Sequence, residues 1–198
     1  MTTAVAGTSR AAKPLRGRPR SVVVACGLLV VLGAWLGIHL TMPGWYARLW
    51  YPLRYEVIVR GYAQQRQLDP ALLAAVIETE SKFDVQARSS AGAIGLMQLT
   101  PATAKGIALY THGNKFQLSD LTNPDINVRY GTWYLRHLLD KYHDERLALA
   151  AYNAGQTTVD RWIAQGVGIQ FAETRAYLDK VESLKTLYRR VYASELGY

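Results

Sequence analysis

Two glutamates one residue apart, Glu78 and Glu80, close the otherwise apolar run Ala71–Ile77. A carboxyl group held against apolar surroundings is partly desolvated. Desolvation disfavours its charged form and raises its pKa, which suits a proton donor working near neutrality. On a helix, Leu73, Val76 and Ile77 form a stripe at i, i+3 and i+4, and Glu80 continues it at i+7. Glu78 falls instead with Ala71, Ala74 and Ala75. Two residues of helix separate the acids by roughly 200°, so they do not form a carboxylate pair in one pocket. Glu80 is the candidate general acid and Glu78 reads as a surface or structural residue. The competing reading turns Glu80 to solvent at the helix end.

The stretch after Glu80, Ser89–Ala104, reads SSAGAIGLMQLTPATA. Gly92 and Gly95 permit tight turns and close approach of a ligand to the backbone. Met97 offers an adaptable apolar wall, and Gln98 offers a donor and an acceptor. Further on, LALAAYNAG places Tyr152 and Asn153 at the end of an apolar helix, just before Gly155. Both suit a hydroxyl or acetamido group; both also suit plain packing and capping. His112, His137 and His143 lack metal-ligand spacing, and no metal or cofactor is expected.

The elements that must position these groups read as helices. Asp69-Pro70, Thr100-Pro101 and Asn123-Pro124 each set a capping side chain before a proline suited to a first turn. Gly155 and Gly166 suit helix ends. The pattern predicts helices over 54–66, 70–81, 101–109, 124–142, 145–154, 156–165 and 171–192. No period-two strand and no internal repeat is evident, so the body reads as one all-α domain. A hydrophobic content of 49% in 198 residues supports a packed core and argues against disorder.

The net charge is +8, but Arg10, Lys13, Arg16, Arg18 and Arg20 contribute +5 within residues 1–42, which hold no acid. The basic character is therefore partly a targeting feature. No arginine cluster with interleaved aromatics marks the body, so nucleic acid is not an expected partner. Ser21–Leu40 is a run of 20 residues without Asp, Glu, Lys or Arg, long enough as a helix to cross a bilayer. Trp35, Trp45, Tyr46 and Trp50 suit an interfacial belt. No cleavage site is obvious, and too few apolar residues precede Cys26 for its VVAC box to be a lipidation signal. Cys26 is the lone cysteine, so no internal disulfide forms. The expected order is a basic cytoplasmic tail at 1–20, a signal-anchor helix at 21–42, a juxtamembrane linker at 43–54 and a catalytic domain at 55–198. The positive-inside rule places that domain outside a bacterial cytoplasmic membrane crossed once.

Four segments in order carry a resemblance: Glu80-Ser81, GLMQLTPATA at Gly95–Ala104, AYNAG at Ala151–Gly155, and ETRAYLDKV at Glu173–Val181. Together they resemble the catalytic domain of the soluble lytic transglycosylases, over roughly 55–190. The sequence departs from that family's pattern in Leu-Thr-Pro after GLMQ and in Val85, and neither change removes a functional group. The resemblance implies a lysozyme-like all-α fold with Glu80 as the catalytic acid. It implies that Ser81, Gly95, Met97, Gln98, Tyr152, Asn153 and Tyr177 bind substrate around it. The substrate would be a peptidoglycan glycan strand.

Most glycosidases use two carboxylates, whereas no second acid falls in these motifs. The family's solution has one glutamate donate a proton to the glycosidic oxygen between N-acetylmuramic acid and N-acetylglucosamine. It then takes the muramyl C6 hydroxyl proton, leaving a 1,6-anhydro end. Two other readings stay open: a hydrolytic muramidase resembling goose-type lysozyme, and a non-catalytic wall-binding module.

Overall fold

The computed structural model describes residues 20–113 and 115–198, in two compact units that meet in sequence at Pro43 and Gly44. The first unit holds α1 (Arg20–Thr41), a continuous helix of 22 residues. Its large apolar side chains Val24, Leu28 to Leu32, Trp35 and Leu36 are exposed. Side chains are described only along the middle of α1. Among the described residues no helix is long and apolar enough to cross a membrane. The basic tail expected at 1–20 lies outside the described residues, except Arg20, whose backbone opens α1.

The second unit contains α2 (Gly44–Trp50), α3 (Glu56–Gln65), α4 (Pro70–Ser81), α5 (Pro101–Tyr110) and a 3-10 turn at Leu118–Thr122. It continues with α6 (Pro124–Tyr142), α7 (Glu145–Ala154), α8 (Gln156–Ala164), α9 (Ala172–Val191) and α10 (Ala193–Leu196). Among the described residues no strand forms; Ile94 makes isolated antiparallel bridges with Arg88 and Leu99.

The helix starts follow the cap chemistry. Asp69 Oδ1 accepts from Ala71 N at 2.9 Å, Thr100 Oγ1 from Thr103 N at 3.2 Å, and Asn123 Oδ1 from Asp125 N at 2.9 Å. Each cap satisfies an orphan amide at the first turn, where proline has none to lose. Helix α4 runs through the centre: every residue from Ala71 to Glu78 is buried. Its main partner is α9, whose inward stripe is Thr174, Tyr177, Leu178, Val181, Leu184, Tyr188 and Val191.

Residues 43–54, expected as a linker, instead contribute α2 to the body. Ala47 is buried there. Arg48 pairs with Glu195 at 2.6 Å, donates to the Val191 carbonyl at 2.7 Å and lies 4.4 Å from the Tyr192 ring centroid. The bulky side chains Trp45, Leu49 and Trp50 face outward. An alanine and an arginine hold this helix, so its hydrophobic residues point away from its contact.

Candidate active site

Glu80 is the penultimate residue of α4, and the chain reverses immediately after it. Lys82 and Phe83 both adopt the left-handed conformation, with φ of 53° and 60°, a strained choice for residues with side chains. Two anchors hold the reversal. Phe83 is buried edge-on to Tyr188, with ring centroids 6.3 Å apart. Ser81 Oγ lies 2.8 Å from the Leu96 carbonyl and 3.1 Å from that of Ile77. Ser81 was expected to meet substrate; its proton serves backbone carbonyls and ties the end of α4 to the Gly95–Gln98 turn.

That turn is built around Asn127 of α6, which is fully buried. Its Nδ2 donates to Ile94 O at 2.9 Å and Leu121 O at 2.8 Å, while its Oδ1 accepts from Met97 N at 2.8 Å. Gly95 has φ 79°, and a Cβ there would stand 2.3 Å from both Leu121 O and Asn127 Nδ2. Only glycine fits, for its backbone angle and for its contact. Gln98 also takes a positive φ of 47°. Its Nε2 donates back to Gly95 O at 3.0 Å and Ala87 O at 3.2 Å, which leaves its carbonyl oxygen free of those bonds. Met97 is fully buried. Its carbonyl accepts from Tyr152 Oη at 2.7 Å, so the turn is fastened to α7 as well.

The Glu80 carboxyl therefore sits on the rigid end of a buried helix. Burial pushes its pKa from 4.5 up to about 7, against the opposing effects of the Tyr177 hydroxyl and the Lys180 charge. No second carboxylate is among the groups acting on it. Tyr152 and Tyr177 are both pushed well above their ordinary values, by burial first and then by the negative charge of Glu80. The Tyr177 hydroxyl is fully enclosed and makes no hydrogen bond of regular geometry. It nonetheless lies close enough to Glu80 to favour the carboxylate. The Tyr–carboxyl contact is thus present but not optimally aligned. Asn153 is exposed, and its Oδ1 accepts from Thr174 Oγ1 at 2.9 Å.

The structure brings Glu80, Tyr152 and Tyr177 together, with Met97 reaching them through its carbonyl. Gly95, Gln98 and Ser81 shape the adjoining turn, and Asn153 stands beside Tyr152. Of the two roles expected for Glu78, surface or structural, the structure shows the structural one. Glu78 is buried, and Tyr188 Oη donates to its Oε2 at 3.4 Å. Its pKa is raised by burial, opposed by Lys180, Tyr188, Lys82 and Arg54. Helix α4 is enclosed on every side, so no face remains for a surface acid.

Sequence reasoning passed over Asn127, Tyr134 and Thr174. Tyr134 packs against Tyr152 at 5.5 Å between centroids, and Thr174 holds Asn153. Asn127 carried the same signal as Glu80. It is a polar residue on a stripe, with Val128, Gly131, Leu135 and Leu138, that faces the core.

A helical body with the half-buried Glu80 carboxyl at a helix end, set beside a glycine-dependent turn, defines a lysozyme-like class. The comparisons with known proteins specify it further. Residues 58–171 match the transglycosylase SLT domain, and the chain belongs to that family. The match includes Glu80, Met97, Gln98, Tyr152 and Asn153 and stops before Tyr177.

The soluble lytic murein transglycosylase of Escherichia coli K12 is 28% identical over 172 residues, covering 78% of this chain and 26% of its own length. The transglycosylase of Enterobacteria phage PRD1 is 38% identical over 129 residues, covering 65% of this chain and 42% of its own. The membrane-bound lytic murein transglycosylase C of Histophilus somni is 38% identical over 118 residues, covering 54% and 32%. The chain thus spans about a quarter to under half the length of these relatives.

Among solved structures, the 70-kDa soluble lytic transglycosylase of Escherichia coli superposes with a TM-score of 0.70 at 26% identity, covering 76% of this chain and 26% of that one. An inactive variant of the Pseudomonas aeruginosa lytic transglycosylase, in which a glutamate is replaced by glutamine, gives 0.69 at 28% identity, covering 86% and 30%.

Proposed function

We propose that the chain cleaves peptidoglycan as a lytic transglycosylase, with Glu80 acting first as acid and then as base. The observation that carries this is a single carboxyl lifted to about 7 by burial, with two buried tyrosines at its side and no second carboxylate acting on it. A group with that pKa is substantially protonated at neutral pH and can donate to the glycosidic oxygen. Once ionised, the same carboxylate accepts the C6 hydroxyl proton of the muramyl residue as that oxygen closes onto C1. One carboxyl thereby replaces the usual pair.

Tyr152 and Tyr177 orient the carboxyl and exclude water from it, which favours the internal hydroxyl over a water molecule. Met97 and Gly95 are buried within the turn and shape the backbone beside it. Gln98 and Asn153 offer polar contacts to the sugar substituents, and Ser81 holds the turn in register.

The reading includes attachment to the cytoplasmic membrane through α1, with the catalytic unit on the outer side. Its support is the run of 20 uncharged residues, the continuous helix there and the five basic residues preceding that run. Recovery with membranes, and external protease cutting in spheroplasts, tests this separately from catalysis. Soluble full-length chain contradicts it.

The test of the activity is digestion of purified peptidoglycan followed by mass analysis of the muropeptides. Transglycosylation gives 1,6-anhydro products, one water lighter than the products of a hydrolytic muramidase. Products of hydrolytic mass would replace this reading with the muramidase one, and absence of cleavage would replace it with a wall-binding module.

A further inference from the structure

Helices α5 and α6 carry an aromatic row that none of the motifs contains. Trp133 and His137 stack with their planes 5° apart and centroids 5.5 Å apart. Tyr110 also stacks on Trp133, at 24° and 5.8 Å. At such spacing parallel rings are offset rather than eclipsed, so each leaves part of its face uncovered. Tyr110 is 78% exposed at the end of α5. The row borders a cavity of about 420 Å³, completed by Tyr134, Gly106 and Gln156 among others.

Tyr134 belongs to both regions: it lines this cavity, and its ring packs on Tyr152 beside Glu80. Tyr134 thus joins the wall of the cavity to the tyrosine beside Glu80. None of its lining residues is Asp, Glu, Lys or Arg. Thr103, His137 and Gln156 supply hydroxyl, ring-nitrogen and amide groups at its edge, and Gln156 Nε2 lies 3.4 Å from Tyr134 Oη.

Flat apolar faces with an uncharged hydrogen-bonding rim suit a pyranose ring. Such a ring presents a C–H face to an aromatic and hydroxyl or acetamido groups to the rim. A peptide stem, with its carboxylates, would call for cations. Those lie in neighbouring pockets lined by Arg66, Arg129 and Lys115, not in this one.

We propose that the Tyr110–Trp133–His137 shelf and its cavity bind a sugar of the glycan strand beyond the cleaved bond, so that the chain prefers long strands over short ones. The proposal rests on the transglycosylase reading for its substrate and adds a site outside the motifs.

Gly106 provides the sharpest probe. A Cβ there meets nothing within 4 Å and Gly106 lines the cavity, so Gly106→Phe adds a ring at its wall from an uncrowded backbone position, and leaving glycine favours the helix. The full-length protein is assayed on peptide-free glycan strands of many disaccharides and on a two-disaccharide chain. Gly106→Phe and Trp133→Ala should each lower kcat/KM on the long strand about five- to tenfold, the scale of one lost ring-stacking contact, and leave the short chain within twofold. Leu109→Ser, on the same helix but outside the cavity, should change neither.

Equal loss on both lengths, or no loss on the long strand with either variant, overturns the shelf. So does a loss that appears only when stem peptides are present, which would assign the cavity to peptide. Binding of a β-1,4-linked N-acetylglucosamine hexamer to Glu80→Gln, followed by tryptophan fluorescence, reads the shelf without cleavage. Weakening by Gly106→Phe supports it and unchanged affinity overturns it. Failure of wild type to cut either strand counts against the enzymatic reading instead.

Discussion

Helix α4 offers two glutamates, and α9 meets each with a tyrosine: Tyr188 at Glu78 and Tyr177 at Glu80. The surroundings separate their roles. Glu78 is enclosed, receives a long hydrogen bond from Tyr188 and feels three cations, Lys180, Lys82 and Arg54. Burial raises its pKa, and those cations oppose the rise. Glu80 is half-buried at the helix end, where Lys180 is the cation acting on it, and burial lifts it to about 7. Its neighbouring hydroxyls, on Tyr152 and Tyr177, are held neutral by the same burial. A buried acid with compensating charges is a structural element. A partly accessible acid with little compensation is poised to give up a proton.

The largest expected effect separates the two directly. Glu80→Gln keeps the shape and removes the proton, and should lower turnover by about 10²- to 10⁴-fold. Glu78→Gln should leave turnover within about twofold and shift stability by no more than about 1 kcal/mol, the scale of one hydrogen bond. Comparable losses in both variants, measured by muropeptide release, would erase the distinction.

Removing a positioning hydroxyl should matter next. Tyr177→Phe should slow turnover about 10- to 100-fold at nearly unchanged melting temperature. Because the hydroxyl favours the Glu80 carboxylate, its loss should also move the alkaline limb of the rate profile to higher pH. A lowered melting point with unchanged rate and profile would make Tyr177 a packing residue only.

Stability supplies a third comparison. The folded Glu80 pKa of about 7 lies above its ordinary 4.5. Between those values the folded chain binds more protons than the unfolded one, so this group's contribution is intact below about pH 4.5. It declines as pH rises through the window and is lost above about 7. The loss is on the order of 3 kcal/mol. Glu80→Gln should therefore be more stable than wild type at pH 8 by about that amount, and the two should converge at pH 4. Urea unfolding at both pH values checks it; a constant difference would contradict the tuning of Glu80 by burial.

The smallest effect concerns Lys180, which is exposed and acts on both acids. Lys180→Met should raise the Glu80 limb slightly, and the shift should shrink in high salt.

The helix boundaries were largely legible in the sequence, because cap chemistry is local. Asp69-Pro70, Thr100-Pro101 and Asn123-Pro124 marked three helix starts, whereas phase did not rank the two acids, since α4 is buried all round and Glu78, off the apolar stripe, is more enclosed than Glu80 on it. What was not legible depended on neighbours distant in sequence. The burial of Glu78 follows from α9 and Tyr188 closing over a face made of alanines. The docking of α2 follows from Arg48 meeting Glu195, Val191 and Tyr192, about 140 residues away. Ser81 and Asn127 spend their polar groups on backbone carbonyls and amides of the 94–97 turn. No motif spacing reveals such bonds, since they follow from where the folded turn comes to rest.

The central claim is that burial holds the Glu80 carboxyl protonated near neutral pH. It is tested most directly by following the glutamate carboxyl carbons by NMR as a function of pH, with Glu80→Gln assigning the resonance. A Glu80 midpoint near 7 is the predicted result; a midpoint near the ordinary 4.5 would contradict it.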